Sequence, residues 1–496
     1  MADFKDLFIF EMANNHQGDV KHGLAIIKAM GKIARENKIN AAVKLQYRDL
    51  DTFIHPHQIN NKENKHVSRF LSTRLSKDEF RTLVDAIRNE GMLTVCTPFD
   101  EASVDLIVEH GIEVIKIASS CADDWPLIQK IVKAEKPVIA STGGLTINEI
   151  DNLYSYLTHR LKQVAILHCL SVYPAPVEDL NLDVIRTMRS RYPDVAIGYS
   201  GHEEPDNTDV IKAAVMCGAT VFERHVGVPT DTIKLNTYSL NPAQADRWVK
   251  AACDARIMLG TSDKEPDDNE RESLFLLKRG VFAAHTIKKG QILRPDDVFF
   301  AFPIEKGQLT SGDFGRVRAR YAASKSYREN EAIYETWDLD TYHKIRQILH
   351  RAKGLLNENK IVIGDKYEIE LSHHYGIEKF DKFGSILINI VNREYCKKII
   401  VVFPGQHHPE QKHMKKEETF HLLQGELVIY INGIERIMKK GDIQVIERGV
   451  LHSFYTNAGA IFEEISTSHF VDDSYYTDPL ISEQDPMQRK TQIEKF

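Results

Sequence analysis

Between Leu7 and about Gly260, short apolar runs rich in β-formers alternate with segments of helical period, and this alternation constrains the fold more than any other feature of the chain. Strands joined through helices pair in parallel, because each crossover returns the chain to the same end of the sheet. Eight strands are predicted: Leu7 to Ala13, Asn40 to Gln46, Leu93 to Phe99, Val114 to Ser119, Pro137 to Thr142, Val164 to Leu170, Ala196 to His202, and Thr220 to Val226. The intervening helices carry their own signals. Ser76 with Glu79 makes a capping box ahead of Phe80, Leu83, Val84 and Ile87, with Gly91 as the stop, and Thr146 with Glu149 repeats the device. Asn241 and Pro242 start the last helix and Gly260 closes it. Eight strand and helix pairs in about 260 residues predict an α/β fold of the (β/α)8 barrel type rather than an open doubly wound sheet.

In such barrels the chemistry gathers where strands end. Here those ends carry Glu11, Asn14, Asn15 and His16; Lys44 and Gln46; Thr97; Lys116, Ser119 and Ser120; Ser141 and Thr142; His168 and Ser171; Ser200 and His202; Glu223, Arg224 and His225. His202 and His225 end two consecutive strands, which puts two imidazoles at one rim and outlines a divalent-metal site. With 21 histidines in 496 residues, two such placements also arise by chance. Lys44 and Lys116 each lie inside an apolar β run, flanked by Val43 and Leu45 and by Ile115 and Ile117. One such lysine reads as a structural ion pair; two, with an arginine and several hydroxyls at the same rim, read as a site that holds a phosphate and a carboxylate beside a metal.

The net charge of −7 leaves no broad basic surface for nucleic-acid phosphates or anionic lipid. The opening MADFKDLFIF is too charged for a secretory segment, and no run of about eighteen apolar residues exists for a membrane span, so a cytoplasmic protein is expected. The six cysteines, Cys96, Cys121, Cys169, Cys217, Cys253 and Cys396, show no regular spacing and read as reduced, mostly buried thiols.

After a barrel domain over 1–265, the polar, acidic stretch from Thr261 to Asn269 reads as a linker. A small β domain is expected over 276–340. In it VFAAHTIKKGQIL from Val281 repeats as YAASKSYRENEAI from Tyr321 at an offset of 40, aligning Ala283 with Ala323, Gly290 with Asn330 and Leu293 with Ile333. A third domain, 341–480, opens with a helix from Thr341 to Leu356 and continues in a region dense in β-branched and aromatic residues, and 481–496 reads as a mobile surface tail. In the third domain His413, Glu418, Gly425, Gly449 and His452 resemble the two cupin motifs, which supply metal ligands from facing strands of a small barrel; Gln411 stands where many cupins have their first histidine.

With these residues laid out, the first 260 resemble the sialic acid synthase family, which condenses phosphoenolpyruvate with an aldose to a 3-deoxy-2-keto acid. The matching motifs, in order, are FEMANNHQGD, VKLQ, CTPF, KIASS, STGG, HCLSVYPAP, GYSGH and FERH. The segment from Arg279 to about 339 is similar to the antifreeze-like, or SAF, domain that follows the barrel in that family. The resemblance implies that His202 and His225 bind manganese or magnesium, that Lys44, Thr97, Lys116, Ser119, Ser141 and Ser200 hold phosphoenolpyruvate, and that Glu11 is the general base for water attack at C2; Gln46, Ser171 and Arg224, polar residues at the same strand ends, are further substrate-binding candidates. It implies a homodimer with exchanged SAF domains. Departures are Cys121 for a sugar-contacting glutamate, Ser171 for an asparagine, Gly201 for an aspartate and Phe302 for an arginine, and they imply an acceptor other than plain N-acetylmannosamine. The cupin is similar to those of D-lyxose isomerases; Gln411, His413, Glu418 and His452 are candidates for a second metal. The alternatives are a sugar isomerase centred on the cupin and a non-catalytic carbohydrate-binding protein.

Overall fold

The computed structural model describes residues 4–59, 63–314, 321–338, 342–470 and 472–496. The chain divides into two compact units, Met1–Asp263 and Lys264–Phe496.

The first unit is a closed parallel barrel of β1 (Leu7–Glu11), β2 (Asn40–Tyr47), β3 (Leu93–Pro98), β4 (Val114–Ile117), β5 (Val138–Ser141), β6 (Val164–Cys169), β7 (Ala196–Gly201) and β8 (Val221–His225). The closing pair β1 and β8 sets Leu7 opposite Val221 and Glu11 opposite His225. Side chains of a strand alternate between lumen and helix layer. Ile9, Ala42, Val95, Val114, Ile139, Leu167 and Val221 therefore fill the lumen as an apolar plug. Their neighbours Phe8, Phe10, Val43, Ile115 and Phe222 pack under the helices. One further step along each strand in the same parity reaches Glu11, Lys44, Thr97, Lys116, Ser141, Cys169, Ser200 and Glu223, and a second step on β8 reaches His225, so the plug is roofed by polar groups at the carboxyl-terminal mouth. Capping boxes form at Ser76, Thr146 and Asn241, the last with Gln244. The β2–β3 connection holds two additional short helices, Leu50–Phe53 and Lys65–Ser72, which the strand–helix alternation does not announce.

In the second unit a helix, Asp268–Leu276, begins inside the predicted linker, capped by Asp267 accepting from the Glu270 amide. It buries no side chain, which is why no apolar period marked it. The small β unit follows: β9 (Gly280–Ala283) with β10 (Val298–Ala301), and β11 (Tyr321–Ala323) with β12 (Thr336–Asp338). Its internal repeat clasps itself. Ile287 and Tyr327 exchange two backbone hydrogen bonds, each 2.9 Å, and Gly290 donates to Ala323 O while Asn330 donates to Ala283 O, each at 2.8 Å. Gly290 and Asn330 both turn through the left-handed region, at φ 81° and 65°, the conformation that glycine and asparagine tolerate best.

The helix Tyr342–Glu358 then packs Ile348, Leu349, Ala352 and Leu356 against an eleven-stranded antiparallel sheet; Thr341, its predicted first residue, lies outside the described residues. The strands are β13 (Glu368–Ser372), β14 (Ser385–Asn392), β15 (Tyr395–Val402), β16 (His407–Lys412), β17 (Glu418–Ile431), β18 (Ile434–Lys439), β19 (Ile443–Ile446), β20 (His452–Tyr455), β21 (Ala460–Thr467), β22 (Tyr475–Tyr476) and β23 (Lys490–Ile493). In place of the mobile tail expected at 481–496, the chain end packs onto the sheet. β23 pairs antiparallel with β13, Ile493 opposite Ile369, while Ile481 is fully buried and Phe496 packs on the core. A few apolar residues dispersed among charges suffice when the main chain completes a sheet edge. Among the described residues no helix is long and apolar enough to cross a membrane, and the six cysteines are free thiols.

Candidate functional site

At the mouth of the barrel four buried charges stand together. Lys44 Nζ lies 3.0 Å from Glu223 Oε1 and also ion-pairs with Glu11, and Lys116 Nζ lies 3.8 Å from the same Glu223 oxygen. Lys116 further donates to Ser141 Oγ at 2.6 Å, and Ser200 Oγ donates to Glu223 at 3.0 Å. Burial alone drives Glu223 toward its neutral form, but Lys116 and Lys44 outweigh it and hold the carboxyl at about 2. Burial, reinforced by Lys116 and opposed by Glu223, pulls Lys44 down to about 8. The Thr97 hydroxyl is buried there without a hydrogen-bond partner. A Cβ built on Gly143 would lie 2.2 Å from Ser171 Oγ and 2.8 Å from Ser119 Oγ, so the glycine leaves a cradle between two hydroxyls. Two ammonium groups, five hydroxyls and a side-chain-free backbone make a cluster suited to a small polyanion.

Beside this pocket the His202 and His225 rings stand 5.4 Å apart between centroids. Burial pushes His202 down to about 4 against the hydrogen bond its Nδ1 makes to Leu170 O at 3.1 Å, and holds His225 well below the usual imidazole range. Both rings are therefore neutral near pH 7, the form that ligates a metal. Tyr173 and Tyr238 frame them, with centroids 4.3 Å from His202 and 5.1 Å from His225. Two imidazoles so placed are a donor set that would fit a divalent ion.

The structure brings Glu11, Lys44, Thr97, Lys116, Ser119, Ser141, Ser171, Ser200, His202 and His225 to this mouth. Arg224 does not reach it. Its parity on β8 is that of Phe222, and its guanidinium is buried against the Glu203 carboxylate and donates to Glu203 O at 2.9 Å. Tyr199 donates to the other Glu203 oxygen at 3.0 Å. A Cβ at Gly201 would lie 2.5 Å from Glu203 Oε2, so this carboxylate fills the space that a side chain at 201 would need. Gln46 accepts from Arg48, whose guanidinium lies 3.5 Å from the Phe99 ring centroid. Cys121 is buried in the helix layer and Phe302 is exposed. The sequence reading missed the central role of Glu223; its signal was the two-residue step from His225.

The cupin cavity, of about 80 Å³, holds the second cluster. His413 Nδ1 donates to Asp473 O at 2.6 Å and His452 Nδ1 to Val450 O at 3.2 Å, which leaves both Nε2 lone pairs facing Glu418. His413 Nε2 is 3.5 Å from Glu418 Oε1 and His452 Nε2 is 3.3 Å from Oε2, and the three ligand atoms lie within 4.8 Å of one another. β16 pairs Gln411 with His452, and Gln411 Oε1 is buried without a partner in the same cavity. Two imidazole nitrogens, a carboxylate and an amide oxygen fit a divalent ion. Lys416 Nζ sits 2.5 Å from Glu418 and 3.0 Å from Glu464, which also takes Lys398 at 3.1 Å.

Residues 32–264 match the NeuB family and residues 398–462 match the cupin domain. A solved Chromobacterium violaceum structure assigned to spore coat polysaccharide biosynthesis is 46% identical, with a TM-score of 0.63 over 66% of this chain and 98% of its own. An uncharacterized protein of Methanocaldococcus jannaschii is 31% identical over 66% of this chain and 93% of its own length. The N,N'-diacetyllegionaminic acid synthase of Legionella pneumophila is 28% identical over 60% of this chain and 85% of its own. With its eight-stranded barrel, its roof of buried lysines and these relatives spanned almost end to end, the chain belongs to the NeuB family and carries a cupin domain beyond it.

Proposed function

We propose that the barrel condenses phosphoenolpyruvate with an aldose, releasing phosphate and forming a sialic acid-like 3-deoxy-2-keto acid. The observation that carries this reading is the buried Lys44, Lys116 and Glu223 cluster beside two neutral imidazoles. The named relatives, synthases of legionaminic, pseudaminic and N-acetylneuraminic acid type, support it. Lys44 and Lys116 compensate the charge of the phosphate and carboxylate, Ser141 and Ser200 direct their oxygens, and Ser119, Ser171 and the open Gly143 backbone admit the phosphate closely. His202 and His225 would hold manganese or magnesium, which supplies polarisation of the acceptor's aldehyde oxygen. Glu11, whose Oε1 accepts from the Ala13 amide at 2.6 Å, would serve as the base that takes a proton from the water attacking C2.

The acceptor differs from plain N-acetylmannosamine, because Cys121 is buried and Phe302 carries no charge where the family uses sugar contacts. The self-clasped β unit is read as the SAF-type domain and the functional form as a homodimer. The cupin, with Gln411, His413, Glu418 and His452, is read as a second divalent-metal site; sugar isomerisation there is the alternative, motivated by the same cluster. The test is phosphate release from phosphoenolpyruvate with manganese across a panel of aldoses. His225→Ala is expected to abolish metal-dependent release for the accepted sugar. Release unchanged in that variant, or aldose–ketose interconversion alone, would refute the barrel reading.

A further inference from the structure

The charges around the cupin cavity do not balance once a metal is present. Inside it Lys398 and Lys416 face Glu418 and Glu464 through contacts of 2.5–3.1 Å, and at its wall Lys490 pairs with Glu370 at 3.2 Å. These cancel. Arg489 also lines the cavity; it donates to Ile481 O at 3.3 Å and lies over the Tyr476 ring, and no carboxylate pairs with it among the described residues. A divalent ion on His413, Glu418 and His452 adds two charges to that arginine, so the side chains lining the cavity carry three positive charges in excess even with every imidazole neutral, opposed only by the Asp473 carboxylate buried behind His413 and Lys416 on backbone amides. Positive charge enclosed in a protein cavity is strongly disfavoured unless an anion accompanies it.

The rest of the lining specifies more than an anion. His374 Nδ1 and Ser385 Oγ are each 1% exposed and have no hydrogen-bond partner, and His469 Nδ1 is likewise unpartnered. Leaving several buried donors and acceptors unmade in one cavity of native structure is costly, and a ligand with many hydroxyls satisfies them. We infer that the cupin cavity is a second ligand site of this chain, one that takes an anionic, polyhydroxylated small sugar whose anionic group meets the metal and Arg489 while its hydroxyls meet His374, Ser385 and His469. The inference rests on the metal reading of the cupin and is independent of what the barrel catalyses. The anionic group is a carboxylate or a phosphate.

The test uses the full chain and two readouts. Manganese is titrated first and counted by the paramagnetic resonance of the free ion; His413→Ala is expected to bind one equivalent fewer than wild type while retaining phosphate release by the barrel. Manganese-loaded protein is then titrated calorimetrically with N-acetylneuraminate, glucosamine 6-phosphate and neutral N-acetylmannosamine. At least one anion is expected to bind about tenfold more tightly than the neutral sugar, with this component lost in His413→Ala and weakened about tenfold in Arg489→Gln. A tighter carboxylate assigns a sugar acid, and a tighter phosphate a sugar phosphate. An unchanged manganese count in His413→Ala overturns the metal reading; a neutral sugar that binds as tightly as both anions, or an anion preference untouched by Arg489→Gln, overturns the anionic site.

Discussion

Lys44 is expected to set the alkaline limit of the proposed barrel reaction. Burial and the neighbouring Lys116 bring its ammonium from an ordinary 10.5 to about 8, with Glu223 at 3.0 Å opposing the fall. At an effective dielectric of about 20, a pair at that distance is worth roughly 5 kcal/mol before desolvation, and breaking a buried pair costs about 3–5 kcal/mol. Glu223→Gln keeps the shape and removes the charge. If roughly 3 kcal/mol of that loss falls on the charged form of Lys44, its pKa drops by about two further units at 1.36 kcal/mol per unit. The profile of kcat/KM against pH, which reports the free enzyme, is expected to fall with a midpoint near 8 in wild type and near pH 6 in the variant. Unfolding does not mimic this loss. Between about 8 and 10.5 the unfolded chain holds a proton on Lys44 that the folded chain has released, so this group's contribution to stability rises with pH while activity falls. Phosphate release and thermal melting measured side by side from pH 5.5 to about 9.5 separate the two. A limb that stays near 8 in Glu223→Gln would refute the electrostatic account.

Gly143→Ala is expected to raise KM for phosphoenolpyruvate about tenfold or more with little change in melting temperature. The new methyl displaces Ser171 and Ser119 hydroxyls that can rotate away, and Gly143 is not held at positive φ, so recognition suffers rather than the fold; steady-state kinetics and calorimetry together check it. Deleting residues 490–496 removes β23 from β13 and uncovers Ile369 and Leu371, for a loss of about 3 kcal/mol in the cupin, measured as a lowered melting transition with barrel phosphate release retained. Full activity and an unaltered cupin transition would show that the terminal strand is dispensable.

The barrel was legible because its determinants are local. Each strand is an apolar run of its own, each major helix announces its caps, and Lys44 and Lys116 break apolar runs visibly within three residues. The site was legible to the extent that strand parity was respected. Counting His225 backward in steps of two finds Glu223 and then Val221, all facing the lumen, whereas Arg224, one residue out of step, belongs to the helix layer with Phe222 and Glu203. A list of polar residues at strand ends takes in both parities, and Arg224 entered the expected substrate set for that reason alone.

In the cupin domain the determinants are not local, and the reading of the sequence runs out for a physical cause. Lys398 and Glu464 face each other in register across β15 and β21, 66 residues apart, and Lys490 meets Glu370 across 120. In isolation each of these looks like an ordinary surface charge, since lysine and glutamate are rarely buried. They become interior only because antiparallel pairing brings opposite charges to one lumen, and antiparallel register is fixed by side chains on strands far away in the chain. The same reasoning explains β23: seven residues at the end of a charged tail have no strand signal of their own, and what orders them is the open edge of β13. Thus the metal triad, spelled by short motifs around His413 and His452, could be anticipated, while the charge imbalance that selects the ligand of that cavity is a property only of the assembled sheet.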